Sequence, residues 1–245
     1  MSKIAVIILA AGKGTRMNSD LPKVCFELAG KSLIQRVLNT SIEMGADLIA
    51  IVVGYKKEMV IESIKKQDNI HFAVQEFQKG TGDAVKCTEN LFSNFTGNVF
   101  VLCGDVPLLR KKTLSEMLAV HTKENAKCTV LTMILDDPEK YGRIVRDDSG
   151  KVKEIIEYKD ASDEIRKINE VNTGIYCFDS VELFNALQKL DNNNAQSEYY
   201  LTDVLNIIYN EGKPIESVIL SDKYEATGIN TKEQLEELSR YYNTL

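Results

Sequence analysis

Two cations and two glycines crowd one short stretch, LAAGKGTRM over residues 9–17, with a third cation close behind in Pro22-Lys23. Lys13, Arg16 and Lys23 face only the carboxylate of Asp20 between residues 11 and 23, although the whole chain of 245 residues carries a formal net charge of -6. Concentrated positive charge beside a flexible backbone is the chemistry of polyphosphate binding. Gly12 and Gly14 can adopt positive φ and let the main chain approach a ligand closely. Successive N–H groups in such a loop can form a concavity for an anion. Arg16 suits planar, bidentate phosphate recognition, and Lys23 acts as a compact point charge. A solvated loop with incidental lysines explains a lone G-x-G equally well. Two sharper templates fail in detail. A dinucleotide fingerprint needs glycine where Met17 stands, and a P-loop needs Gly-Lys-Ser/Thr where Gly14 is followed by Thr15-Arg16.

A second group with chemical potential is Asp105, in the run CGDVP over 103–107. A carboxylate beside glycine at the carboxyl end of a strand can hold a hard cation, or it can simply cap the following segment. Asn230 precedes an amphipathic stretch and reads as its N-cap. Thr81 reads as the N-cap of the helix that follows it. Gln75 closes a short apolar run, with an amide that offers both a donor and an acceptor. His71 and His121 have no serine motif beside them, so they read as structural.

These groups need elements to position them. Apolar runs over 4–10, 48–53, 71–75 and 99–103 read as buried strands, and amphipathic stretches over 32–44, 58–66, from 81 and over 112–124 as the helices between them. That alternation predicts an α/β protein with parallel strands covered on both faces. Beyond residue 128 the texture changes. Residues 128–135, 142–146 and 152–158 read as neighbouring strands, with a hairpin turn at 147–150. A strand over 172–178 and helices over 181–187, 201–209 and 232–241 follow. The expected architecture is an open mixed sheet, mostly parallel, Rossmann-like, with helices on both faces and a small antiparallel extension. No composition shift marks a boundary, so residues 1–245 read as one domain.

Composition narrows the function. An acidic chain lacks the basic face of a non-specific nucleic-acid binder. Five cysteines without a C-x-x-C pair predict free thiols in a reducing compartment, hence a cytoplasmic protein. Two histidines make an imidazole metal site improbable. No apolar run reaches membrane-spanning length, so no membrane partner is expected.

The stretches LAAGKGTRM, LPKV, QEFQKGTGDAV, LCGDVPLL, DDPEKYGRIV, IIEYKDA, EVNTGIY, NNAQSEYYLTD and GIN occur in that order along nearly the whole chain. Together they resemble the sugar-nucleotide pyrophosphorylases, and within that family the uridyltransferase domains of the bifunctional bacterial N-acetylglucosamine-1-phosphate uridyltransferases. The resemblance implies the nucleotide-diphospho-sugar transferase fold, with a nucleotide half over about 1–110 and a sugar half over about 111–245. It implies that UTP and N-acetylglucosamine 1-phosphate give UDP-N-acetylglucosamine and pyrophosphate. It assigns catalysis to Arg16, Lys23 and Asp105, Mg²⁺ binding to Asp105 and Asn230, and nucleotide contacts to Leu9, Ala10, Gly12, Gly14, Gln75, Gly80 and Thr81. Gly142, Glu157, Asn172 and Thr173 match the sugar pocket, and Glu198, Tyr199 and Tyr200 its wall.

Some positions depart from the family pattern. Cys103 stands where a tyrosine is frequent, Phe26 and Tyr158 where histidines are, and Ser197 where glycine is. They leave another sugar 1-phosphate, such as glucose 1-phosphate, open as acceptor, and a non-catalytic nucleotide sensor as a further alternative. The hexapeptide repeats of the bifunctional proteins do not follow within this sequence. The expectation is therefore no acetyltransferase activity, no trimer of that origin, and a monomer or weak oligomer.

Overall fold

A computed structural model of the protein describes residues 2–65 and 67–244. The chain runs through β1 (Lys3–Ala10), the two-residue strands β2 (Glu27–Leu28) and β3 (Lys31–Ser32), α1 (Leu33–Glu43), β4 (Leu48–Val53), α2 (Lys57–Glu62), β5 (Ile70–Val74), α3 (Thr81–Lys86), β6 (Gly97–Cys103) and α4 (Lys111–Lys123). It continues through β7 (Cys128–Ile134), β8 (Arg143–Arg146), β9 (Val152–Ile156), α5 (Asp163–Arg166), β10 (Glu170–Asp179), α6 (Ser180–Leu187), α7 (Thr202–Asn210), β11 (Ile215–Leu220) and α8 (Lys232–Tyr242).

Seven strands lie in the order β11-β7-β10-β6-β1-β4-β5. β1 pairs in parallel with β4 and β6, β4 with β5, and β11 with β7. Only β10 runs against its two neighbours on this path. β8 and β9 form the antiparallel extension, joined to the sheet through β10. The mixed, mostly parallel open sheet is therefore as expected. One expected adjacency is not: β7 lies between β10 and β11, and β8 pairs with β10 and β9.

Alternation along β1 builds both cores. Val6, Ile8 and Ala10 point to the face covered by α1 and α4, where Ile34, Val37, Leu38, Leu114 and Met117 meet them. Ala5 and Ile7 point to the other face, against Val85, Leu183, Val204 and Leu205 from α3, α6 and α7. Each fully buried aliphatic side chain contributes about 1.5–3 kcal/mol of transfer free energy, so this short strand anchors the fold from both sides. A third, smaller cluster ties Met17, Leu28 and Leu33 near the amino end to Leu108, Ile229 and Leu238.

Besides the short strands β2 and β3, three further elements differ from the sequence reading. α2 stops at Glu62, and Lys66, the expected last residue, lies outside the described residues. Ser63 caps it by donating its hydroxyl to Val60 O at 2.8 Å, the local competition by which serine ends helices. β11 was not expected. Its residues IESVIL are half-exposed at the sheet edge and so lack a buried-strand pattern. α5 spans a single turn, capped by Ser162.

The strand order changes direction around β1 and β6. β4 and β5 follow on one side of β1, and β6 lies on the other. Open α/β sheets bind ligands at such a switch point, outside the carboxyl ends of the strands. Residues 9–12 and 103–105 both emerge there.

Candidate active site

Past Ala10 the chain leaves the sheet, and the N–H groups of residues 12–15 donate to no backbone acceptor among the described residues. A run of free donors of this kind is what an anion-binding loop needs. Met17 N–H closes a tight turn onto Gly14 O at 3.0 Å. Its side chain is buried in the third cluster, which fixes the loop to the body. Gly14 has φ 61°, and a Cβ there would stand 2.5 Å from Lys23 Cβ. Glycine is thus required for the loop to pass over Lys23. Gly12 does not use its freedom to take positive φ, and a Cβ there would meet nothing within 4 Å. What Gly12 contributes is open space.

Lys23 is the hub of the charged cluster. Its Nζ donates to Asp105 Oδ2 at 2.5 Å and to Asn230 Oδ1 at 2.8 Å. Arg16 Nη2 donates to the same Asn230 oxygen at 2.8 Å. A backbone bond from Ile229 N–H to Asp105 O, 3.0 Å, holds the two oxygen-bearing side chains side by side. Asn230 is not the N-cap of α8. Thr231 takes that position in a capping box with Gln234, and Gln234 Oε1 accepts from Asn230 N–H at 2.7 Å. The asparagine side chain is thereby released from capping and turned into the cluster.

Asp105 Oδ2 and Asn230 Oδ1 already converge on one cationic group, the Lys23 ammonium. Two protein oxygens are the partial donor set that Mg²⁺ accepts when water and phosphate oxygens complete its shell. No group of three or more His, Cys, Asp or Glu comes together among the described residues. Asp105 and Asn230 are thus a partial donor set and not a closed protein cage.

Two crevices meet at Asp105. One, about 240 Å³, is lined by Leu9, Ala10, Gly12, Lys23, Gln75, Gly80, Thr81 and Glu198. Gln75 is buried, and its Nε2 donates to Gly80 O at 3.0 Å and to Asp83 Oδ2 at 2.8 Å. Gly80 has φ 115°, and a Cβ there would stand 2.4 Å from Tyr199 O. Thr81 is the first residue of α3 but does not cap it. Its hydroxyl accepts from Leu201 N–H at 3.0 Å, joining the two halves of the chain.

The other crevice, about 250 Å³, is lined by Arg16, Cys103, Lys140, Tyr141, Thr173 and Asn230, among others. Thr173 Oγ1 donates to Leu131 O at 2.7 Å, so its hydroxyl proton is committed internally. Gly142, Glu157 and Asn172 gather beside it. A Cβ at Gly142 would lie 3.5 Å from Glu157 Oε2 and 3.6 Å from Asn172 Cβ. Asn172 donates to Tyr176 Oη at 2.7 Å and accepts from Gly174 N–H at 3.0 Å. Burial raises the Glu157 carboxyl above its ordinary value, and the nearby Asp203, Asp160 and Glu198 add to this against a bond from Thr202. Burial also pushes the Cys103 thiol up to about 12, which leaves it an inert lining group. Sequence reasoning missed Lys140, Tyr141 and Gln234. The first two immediately precede Gly142, and that adjacency was the available signal. A larger hollow, about 540 Å³, lies at the amino ends of β9 and β11. Its lining, with Lys151, Tyr209, Asn210 and Lys213, includes no residue of the charged cluster.

Fold and crevice together define an open α/β protein built around a ligand cleft at its strand switch point. The chain belongs to the nucleotidyl transferase family, whose model, described as "Nucleotidyl transferase", matches residues 5–240. It is 47% identical over 240 residues to a "Bifunctional protein GlmU" of Geotalea daltonii, covering 98% of this chain and 52% of that protein. Against the Bifunctional protein GlmU of Bacillus subtilis it is 40% identical over 243 residues, covering 98% and 52%. The chain thus spans about half the length of the curated relatives it matches. A solved UDP-glucose pyrophosphorylase, complexed with UDP-glucose, superposes with a TM-score of 0.79 at 20% identity, over 100% of this chain and 99% of that one, and shows the same fold.

Proposed function

We propose that the chain is a single Mg²⁺-dependent uridylyltransferase domain that converts UTP and N-acetylglucosamine 1-phosphate to UDP-N-acetylglucosamine and pyrophosphate. The observation that carries this is the Lys23–Asp105–Asn230–Arg16 cluster at the junction of two crevices. One crevice takes the nucleotide, through Leu9, Ala10, Gly12, Gly14, Gln75, Gly80 and Thr81. The other takes the sugar, at a wall that includes Thr173, with Gly142, Glu157 and Asn172 grouped beside that wall. The likeness to the GlmU proteins supports the choice of nucleotide and sugar. Five free thiols fit work in the cytoplasm.

An ionised oxygen of the sugar phosphate attacks the α-phosphorus of UTP. A new P–O bond forms as the bond to pyrophosphate breaks and pyrophosphate leaves with its electron pair. That nucleophile is already deprotonated at neutral pH, so a site without a catalytic base suffices. What opposes reaction is repulsion between two polyanions. Lys23 sits where the phosphates of both substrates meet and offsets that repulsion. Arg16 and the free N–H groups of residues 12–15 hold the departing end of the triphosphate. Asp105 and Asn230 orient both cations and would hold the divalent ion, which supplies further positive charge to phosphate oxygens when bound. Phosphoryl-type transfers rest largely on such positioning and electrostatics.

Pyrophosphate release measured across UTP, dTTP and CTP, each with N-acetylglucosamine 1-phosphate and glucose 1-phosphate, tests the reading. The pairing of UTP with N-acetylglucosamine 1-phosphate should turn over fastest. A preference for glucose 1-phosphate would replace the acceptor, and no release with any pair would overturn the reaction.

A further inference from the structure

In the nucleotide crevice the orientation of one amide is forced. Gln75 Nε2 meets the carbonyl oxygen of Gly80 at 3.0 Å and a carboxylate oxygen of Asp83 at 2.8 Å. Both the carbonyl and the carboxylate oxygen accept here. The reversed amide would set oxygen against oxygen twice, so the nitrogen end is pinned away from the ligand. Gln75 Oε1 has no internal donor, yet no side-chain oxygen among the described residues is both fully buried and unpaired. The oxygen is therefore open, on a residue that lines the crevice with Leu9, Ala10 and Gly12.

We propose that Asp83 is a positioning residue for base selectivity. By holding the Gln75 amide in one orientation it presents an acceptor, and only an acceptor, to the base. This rests on the reading of Gln75 as a base contact. An acceptor pairs with the ring N–H of an imide, which uracil and thymine carry. Cytosine, in the same pose, offers a ring-nitrogen lone pair and is repelled. Asp83 reaches no ligand itself on this account. It acts through Gln75, as an outer partner fixes the orientation of a contact group.

Removing Asp83 leaves Gly80 O as the one remaining anchor of the Gln75 nitrogen and makes the reversed amide accessible. The test is the ratio of UMP to CMP affinity, by titration calorimetry, in the wild-type chain, Asp83→Ala and Asp83→Asn. The wild-type ratio should favour UMP strongly. Asp83→Ala should lower it at least about tenfold, the scale of one hydrogen bond whose partner is lost. Asp83→Asn, whose amide oxygen can still accept, should restore most of it. Should Asp83→Ala fail to fold, Asp83→Ser serves as the second truncation. A merely structural role would weaken UMP and CMP binding alike and leave the ratio fixed. That result overturns the proposal, as does a wild-type chain that binds UMP and CMP equally. Binding is read without turnover, so an absence of pyrophosphate release would count against the proposed reaction and not against Asp83.

Discussion

Replacing Lys23 by alanine removes the group on which the proposed chemistry leans most. Its ammonium stands 2.5 Å from Asp105 Oδ2 and 2.8 Å from Asn230 Oδ1, with the lysine and aspartate side chains 18% and 17% exposed. A unit charge about 4 Å from a phosphate oxygen, at an effective dielectric of about 20, is worth about 4 kcal/mol. A fixed electrostatic contact of this kind loses about 2.7–4 kcal/mol when deleted, about 10²–10³ in rate. The expected fall in kcat/KM is therefore at least about 100-fold. Stability should fall as well, because deleting one partner of this largely buried pair leaves the Asp105 carboxylate uncompensated; the loss should stay below the about 3–5 kcal/mol of breaking a fully buried pair. Steady-state pyrophosphate release, alongside a thermal melt, separates the two effects. A folded Lys23→Ala protein within threefold of wild-type kcat/KM would refute the electrostatic reasoning.

Three further outcomes follow from individual contacts. Gly14→Ala places a methyl group 2.5 Å from Lys23 Cβ at φ 61°; it should cost about 1–2 kcal/mol from backbone strain alone and lower activity by displacing Lys23, read by melting and turnover together. Asn230→Ala should reduce turnover at least about tenfold with little change in Tm, whereas Thr231→Ala, which removes the true cap, should cost about 1 kcal/mol of stability and spare turnover. His121 is buried on α4 beside Thr129 Oγ1 at 2.9 Å, and burial lowers its pKa from 6.5 to about 4. The unfolded chain then binds the proton first, so stability is full above pH 6.5 and falls as pH drops from 6.5 to 4, by up to about 3 kcal/mol; His121→Gln should flatten that slope in denaturant titrations, and an unchanged slope would refute the assignment.

Much of this was legible before the fold was seen, for a physical reason. Strands buried on both faces write themselves as continuous apolar runs, so β1, β4 and β6 were plain, and the residues at their carboxyl ends followed. β11 lies half-exposed at the edge, and its pattern is too mixed to announce a strand. The charged cluster was readable as residue types but not as geometry. That Lys23 bridges Asp105 and Asn230 depends on Ile229 bonding to Asp105 and on Met17 seating the loop, contacts spanning most of the chain. Capping shows the limit most clearly. Asn230 and Thr231 are both good N-cap types, and only the capping box with Gln234 decides that the threonine caps and the asparagine turns inward. The Asp83–Gln75 bond was equally silent, because a short polar residue on a helix face carries no mark of its partner.

A crystal structure of the chain with a non-hydrolysable UTP analogue and Mg²⁺ tests the central claim most directly. The account predicts triphosphate oxygens within hydrogen-bond distance of Arg16 and the N–H groups of residues 12–15, with Lys23 at the α-phosphate and the Asp105 carboxylate turned toward the bound ion. A nucleotide seated elsewhere, with that loop empty and Asp105 facing away from the phosphates, would contradict it.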